Sequence, residues 1–427
     1  MRQYPPGFLS LSASVACERF GFFLLASLLV LFLTERLGCS TAQATDVLGC
    51  FIAATYVSPL LAGAMTDGRL GVVRAATLGY LVAAVGYALL AAEGRPLVYA
   101  GLLLVSLGAG AAKLAPQSLA TRLFAARPAL HDRGLTLLYL LANVSALVSP
   151  VIGETARAWL GWPAAFALAS LSLVAAWLII QSQSEVLRAV ESEPSVPHEA
   201  SKSNGRGSLR TLLSLCALSM LLTVPHMQAG STLLLWARDN TNRHLLGWEL
   251  PVPYVVSLHA GLVLAVSPLL ARVLHHLKTA PGLTAATAKI AIGVAATGLA
   301  YVPLAVAALR SSEGSLVGLG WLLGCLALLS VGELLIGALG PSLVLRLAPT
   351  ARRGRWLGAW YGATALGFWL AGRIGGWWDR VPHALFFVGM AVLALSGMVI
   401  CAALSHARVN PAAIPPQARQ PPAELPR

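Results

Sequence analysis

Charge is what this sequence has least of. Of its 427 residues only 11% are Asp, Glu, Lys or Arg and just 17 are acidic, against 57% that are hydrophobic. With a mean hydropathy of +0.73, the chain has too little polar surface for a water-soluble globular domain and falls among polytopic membrane proteins. Cysteine is sparse as well. Cys17, Cys39, Cys50, Cys216, Cys325 and Cys401 lie mostly inside apolar runs without C-x-x-C spacing, so they read as packing residues rather than redox or metal groups. No nucleophile and base stand at catalytic spacing, and no His, Asp and Glu cluster has the pattern of a metal site. An enzyme, a bound metal and a bound cofactor are therefore not expected. The N-terminus, MRQYPPGF, lacks a basic segment followed by a short apolar stretch and a cleavage site, so the first apolar run is expected to stay as a membrane helix.

Basic residues outnumber acidic ones, for a net charge of +13, yet they form no single patch of the kind that binds nucleic acid. They recur in alternate loops: Arg69 and Arg74; Arg122, Arg127 and Arg133; Arg188, Lys202, Arg206 and Arg210; Arg272 and Lys278; Arg346, Arg352, Arg353 and Arg355. The positive-inside rule makes those loops cytoplasmic and puts both termini inside a plasma (inner) membrane.

What the chain does have is long apolar runs. A helix crossing a hydrocarbon core of about 30 Å needs about 20 apolar residues. Runs of that kind fall near residues 8–34, 45–66, 73–92, 97–123, 134–160 and 163–183, then 209–236, 251–273, 284–310, 315–346, 354–378 and 383–406. Twelve transmembrane helices follow, as two six-helix bundles over 1–183 and 209–406. The polar, Pro/Ser/Gly-bearing stretch 184–208 is expected to be a flexible cytoplasmic linker, and the Pro-rich end 407–427 a disordered tail. Two such halves suggest the major facilitator arrangement, which rocks about a site near the bilayer midplane. The loop GAMTDGRLGVVR, with Gly63, Asp67, Arg69, Gly71 and Arg74, resembles the facilitator loop G-x-x-x-D-R-x-G-R-R with one residue added.

A charged side chain at the membrane centre costs about 2.5–3.5 kcal/mol even on lenient scales and so marks a pathway. Glu18 and Arg19 stand in the middle of the first run. Neighbours in a helix point about 100° apart, so each is expected to find its partner on another helix. The stripe that holds Arg19 carries Val15, Phe22 and Ala26 and is otherwise apolar. Lys113, flanked by Gly108, Gly110 and Pro116 in the fourth run, is the expected counter-ion of Glu18 and is too central to reach the interface. Tyr139 and Asn143 share a face of the fifth run, where helix packing and a ligand explain an Asn equally well. Tyr56 fits a core aromatic, and Trp360 a cavity wall or packing. Glu333 in the tenth run has no basic residue within a turn, which points to a substrate amine or a proton. His226 and His259, inside apolar runs, titrate near neutral pH unless their surroundings forbid it.

Five segments, in order, resemble motifs of the proton-dependent oligopeptide transporter family of the major facilitator superfamily. ACERFGFFLL resembles its E-x-x-E-R-F, and SPLLAGAMTDGRLG the end of its second helix. GAGAAKLAPQSL is similar to its G-x-G-x-x-K-P, GLTLLYLLANVSAL to its fifth-helix segment, and GELLIGALGPSLVLRLAP to its tenth-helix segment. The resemblance spans residues 8 to 400. It implies a secondary carrier driven by the proton gradient with no cofactor. Expected proton-coupling residues are Glu18, Arg19, Lys113, Glu333, His226 and His259. Expected substrate contacts are Tyr56, Lys113, Tyr139, Asn143, Gln228, His259, Glu333 and Trp360.

Departures cluster as well. Val15 replaces the first Glu of the motif, Phe22 a cavity Tyr, and Ala26 the Arg that receives a peptide carboxylate. Met227 replaces a proton-carrying Glu, Val224 a Trp, and His259 a peptide-contacting Asn. The remaining groups suit a peptide-like or amine-bearing small solute better than an ordinary peptide. Three alternatives stay open: a non-transporting sensor or scaffold, a facilitator, and an exporter without proton coupling. The expected partners are that solute and the lipid bilayer, with the chain a monomer.

Overall fold

A computed structural model describes residues 4–66, 71–124, 128–192, 209–245, 247–276, 283–311, 315–349 and 352–406. In lipid no water is available to bond stray peptide groups, so spanning segments close their own hydrogen bonds as helices. The helices are α1 (Phe8–Leu31), α2 (Thr41–Thr66), α3 (Val72–Leu90), α4 (Arg95–Leu123), α5 (Pro128–Leu160), α6 (Trp162–Ser182), α7 (Ser184–Ser192), α8 (Leu209–Met227), α9 (Thr232–Asp239), α10 (Tyr254–His276), α11 (Leu283–Ser311), α12 (Leu319–Leu347), α13 (Arg353–Gly375) and α14 (His383–His406). Among the described residues ten spans are long and apolar enough to cross a membrane, with α8 and α9 together forming one of them. Helices α2 and α13, of 26 and 23 residues, bring the long helices to the twelve expected.

Helices α1 to α6 pack among themselves, with α3 on α4 and α1 between α5 and α6; α8 and α10 to α14 do likewise, with α11 between α12 and α14. The two groups meet where α2 lies on α13 and α5 on α10. Small residues set the first of these contacts, as in other membrane interfaces, where backbones approach closely for want of a hydrophobic drive. A Cβ at Gly372 would fall 2.6 Å from the Thr45 carbonyl and 3.0 Å from the Gly49 Cα. The same end of the bundle, opposite the N-terminus, carries two ion pairs across the halves: Arg373 to Asp46 at 3.0 Å and Arg238 to Glu35 at 3.7 Å.

The segment expected to be a flexible linker begins instead as a helix. In α7, Leu187 is fully buried and lies against Gly7. Glu191 accepts the backbone N–H of Val72 and, at 3.4 Å, of Val73, which satisfies free donors at the start of α3. Arg122 donates to the Glu191 carbonyl at 2.7 Å. Gly71, at φ +75, leaves room for that carboxylate: a Cβ there would lie 2.7 Å from it. Of the loop motif, Gly63 lies within α2 and Arg74 is exposed on α3, while Asp67 and Arg69 lie outside the described residues, as do 193–208 and 407–427.

Gly372→Val adds three carbons where α2 touches backbone. It is expected to lower stability by about 1–3 kcal/mol, the usual cost of overpacking. Thermal unfolding of the detergent-purified protein measures this, and an unchanged midpoint contradicts the close approach.

Candidate functional site

Between the two groups of helices lies a cavity of about 480 Å³, a size that suits a small molecule. Its wall from the first half holds Arg19, Phe22, Ala26, Tyr56, Lys113 and Asn143. The second half contributes Ser219, Thr223, His226, Met227, His259, Glu333, Trp360, Tyr361, Thr364 and Phe368.

Arg19 does not look to another helix for its partner. Its guanidinium lies side-on to the Glu18 carboxylate, Nη2 donating to Oε1 at 2.6 Å and Nε to the other oxygen. The expectation that the pair would be split fails because two long side chains bend toward each other across the 100° between them, and a bidentate contact holds them there. Glu18 is buried at 5% exposure and lies behind the cavity surface. Arg19 reaches that surface already paired.

Lys113 is correspondingly not the counter-ion of Glu18. Its ammonium donates to Thr55 Oγ1 at 3.2 Å and to the Thr55 carbonyl at 3.4 Å. It also stands 4.9 Å from the Phe22 ring and 5.0 Å from that of Tyr56, within the range of cation–π attraction. Among the described residues no carboxylate lies within ion-pair distance of it. Tyr56 thus belongs to the cavity lining, its ring tilted against that of Phe368 at 4.8 Å.

Among the described lining residues of the second half the one carboxylate is Glu333, whose side chain is 46% exposed. His259 Nε2 stands 3.6 Å from it, at ion-pair distance, yet is buried and has no hydrogen bond. His226 is held differently: Nδ1 faces the Leu222 carbonyl at 2.9 Å and Nε2 the Leu329 carbonyl at 3.2 Å. Ser219 and Thr364 join α8 to α13 through their hydroxyls at 2.6 Å. Trp360 packs against Gly340, where a Cβ would strike the indole.

Two expected contacts are absent from the lining. Gln228 is completely buried in the break between α8 and α9. Its amide donates to the carbonyls of Val224 and Ala371, and its oxygen accepts from Thr232 at 2.8 Å and Ser231 at 3.2 Å. With all its hydrogen-bonding groups engaged, it staples the break instead of meeting a solute. Tyr139 does not line the cavity either, although its carbonyl accepts from Asn143 at 2.9 Å. The sequence reading missed Ser219, Thr223, Tyr361 and Thr364. Ser219, Thr223 and His226 fall at i, i+4 and i+7 on α8, a polar stripe that helical periodicity makes visible.

A buried ion pair broken on one side costs about 3–5 kcal/mol, whereas its joint replacement by apolar groups is often neutral. Arg19→Met is therefore expected to lower the denaturation midpoint sharply, and Glu18→Leu combined with Arg19→Met to recover most of the loss. Additive losses in the double variant contradict the pairing.

The Major Facilitator Superfamily model matches residues 11–319. The chain is 26% identical over 408 residues to dipeptide and tripeptide permease A of Erwinia pyrifoliae, covering 84% of this chain and 82% of that one. It is 26% identical over 428 residues to the permease of the same name from Escherichia coli, covering 86% and 84%. Among solved structures, a POT family transporter in complex with 5-aminolevulinic acid superposes with a TM-score of 0.84 at 17% identity, over 94% of this chain and 96% of that chain. The oligopeptide-transporter resemblance drawn from the motifs agrees with these comparisons. A family model matching most of the chain and a twelve-helix fold around a central cavity lead to one conclusion: the chain belongs to the Major Facilitator Superfamily.

Proposed function

We propose that this protein is a secondary transporter for a peptide-like or amine-bearing small solute, energised by the proton gradient without a cofactor. One observation carries the reading: at membrane depth the cavity presents an unpaired ammonium, Lys113, on one wall and an exposed carboxylate, Glu333, on the other. Exposing charges inside a bilayer is costly, and a zwitterion turned end to end satisfies both ends of the cavity. The solute's amine meets Glu333, and its acidic or carbonyl end meets Lys113. Aromatic rings of Tyr56, Tyr361, Phe368 and Trp360 supply the apolar walls between them.

The relatives fit this chemistry, being dipeptide and tripeptide permeases, and one structural neighbour holds 5-aminolevulinic acid, itself an amino acid. Ala26 lines the cavity where the family resemblance places an Arg, and Arg19 is occupied by Glu18, so a single cation serves the acidic end. An amidated or otherwise carboxylate-blocked solute loses less here than in a site with two free cations. Proton coupling draws support from the ionisable side chains that line this half of the cavity, Glu333, His259 and His226. The excess of basic residues in alternate loops favours a plasma-membrane carrier with both termini in the cytoplasm. It is read here as a monomer.

In proteoliposomes, Lys113→Ala is expected to cut uptake of dialanine about 10- to 100-fold, the worth of a charge-assisted hydrogen bond, and to affect alaninamide much less. Glu333→Gln is expected to weaken both. Equal losses for the two solutes in Lys113→Ala contradict the assignment of ends, and uptake indifferent to an imposed pH gradient removes the proton from the mechanism.

A further inference from the structure

We propose that His226 binds and releases the coupling proton, and that as an imidazolium it ties α8 to α12. This rests on the reading of the chain as a proton-driven carrier and names the residue that takes the proton.

Both ring nitrogens of His226 face carbonyl oxygens, Leu222 at 2.9 Å on its own helix and Leu329 at 3.2 Å on α12. Carbonyls only accept. A neutral imidazole has one N–H, so its other nitrogen would point a lone pair at an oxygen lone pair; an imidazolium donates to both. The arrangement is therefore complete only when the second proton is present. On binding, a ring-nitrogen lone pair takes a proton from the cavity and forms the second N–H; on release that bond breaks and the proton returns. The ring borders the cavity, so the route is open.

Local packing is shaped for this contact. A Cβ at Gly332 would lie 3.2 Å from His226 Nε2 and 2.1 Å from Thr297 Oγ1, so glycine there lets the ring reach the α12 backbone. Tyr301 on α11 donates to the Pro225 carbonyl and fixes the turn just before the histidine. Leu329 is one helical turn before Glu333, and its carbonyl also takes the Glu333 N–H in the α12 ladder. When the proton released is the one on Nε2, the bond at the turn that carries Glu333 is lost with it.

The titratable groups facing the ring are His259 on α10, Glu333 on α12 and Tyr301 on α11. Tyr361 on α13, Arg19 on α1 and Lys113 on α4 line the same cavity. Met227, the next residue, carries no titratable group.

The test is nitrogen NMR of the full-length protein, labelled at histidine and held in lipid nanodiscs, with the His226 signal assigned by its loss in His226→Gln. Replacing His259 separates the two cavity histidines if the first variant does not fold. Two protonated ring nitrogens at about pH 5, one of them lost by about pH 8, support the proposal; a single neutral tautomer throughout overturns it. In proteoliposomes with dialanine, His226→Gln is read as the ratio of gradient-driven accumulation to exchange at zero gradient. Under a one-unit pH gradient that ratio should fall about tenfold, the factor one coupled proton sustains. An unchanged ratio also overturns it. If the wild type moves no dialanine, the functional reading falls while the spectrum still decides the protonation of His226.

Discussion

Inside a bilayer a charge must be matched close to where it stands, and in this protein Arg19 is matched by the residue immediately before it. That local pairing decides the electrostatics of everything around it. Because Glu18 is consumed by Arg19, it is unavailable to Lys113, whose ammonium rests on a threonine and two rings. The first half of the cavity therefore presents one active positive charge, although the sequence counts two. The second half answers with Glu333.

Much of this was legible beforehand because lipid simplifies the problem. Length and polarity alone locate spanning helices, since no other open structure satisfies the peptide groups there, and the apolar runs match α1 to α6, α8 with α9, and α10 to α14. The site was legible in part for the same reason: Lys113 and Glu333 stand out because charges are rare at that depth. Pairing was not legible. Helical angles say where Cβ atoms point, but the ends of Glu and Arg lie several bonds further out and can converge from adjacent positions. Gln228 shows the opposite failure. A family pattern marks it as kept without telling whether it meets a ligand or holds a helix break, and only its four hydrogen bonds resolve the two.

Composition misled at 184–192 as well. That stretch is polar enough to read as linker, yet Leu187, buried against Gly7, and Glu191, bonded to the start of α3, are enough to make it a helix clasped to the first half. A nine-residue helix has little stability alone; its tertiary contacts fix it. At the other end of the bundle, Gly49 and Gly372 let α2 and α13 touch backbone to backbone.

Phe22 gives the cavity a property that neither charge could. Its ring lies 5.2 Å from the Arg19 guanidinium and 4.9 Å from the Lys113 ammonium, so the negative face of its π cloud holds both cations. A carboxylate in that place would be a stronger anchor but would fill and empty with acidity. An aromatic quadrupole has no proton to gain. The group that holds both cations on this wall thus carries no charge of its own.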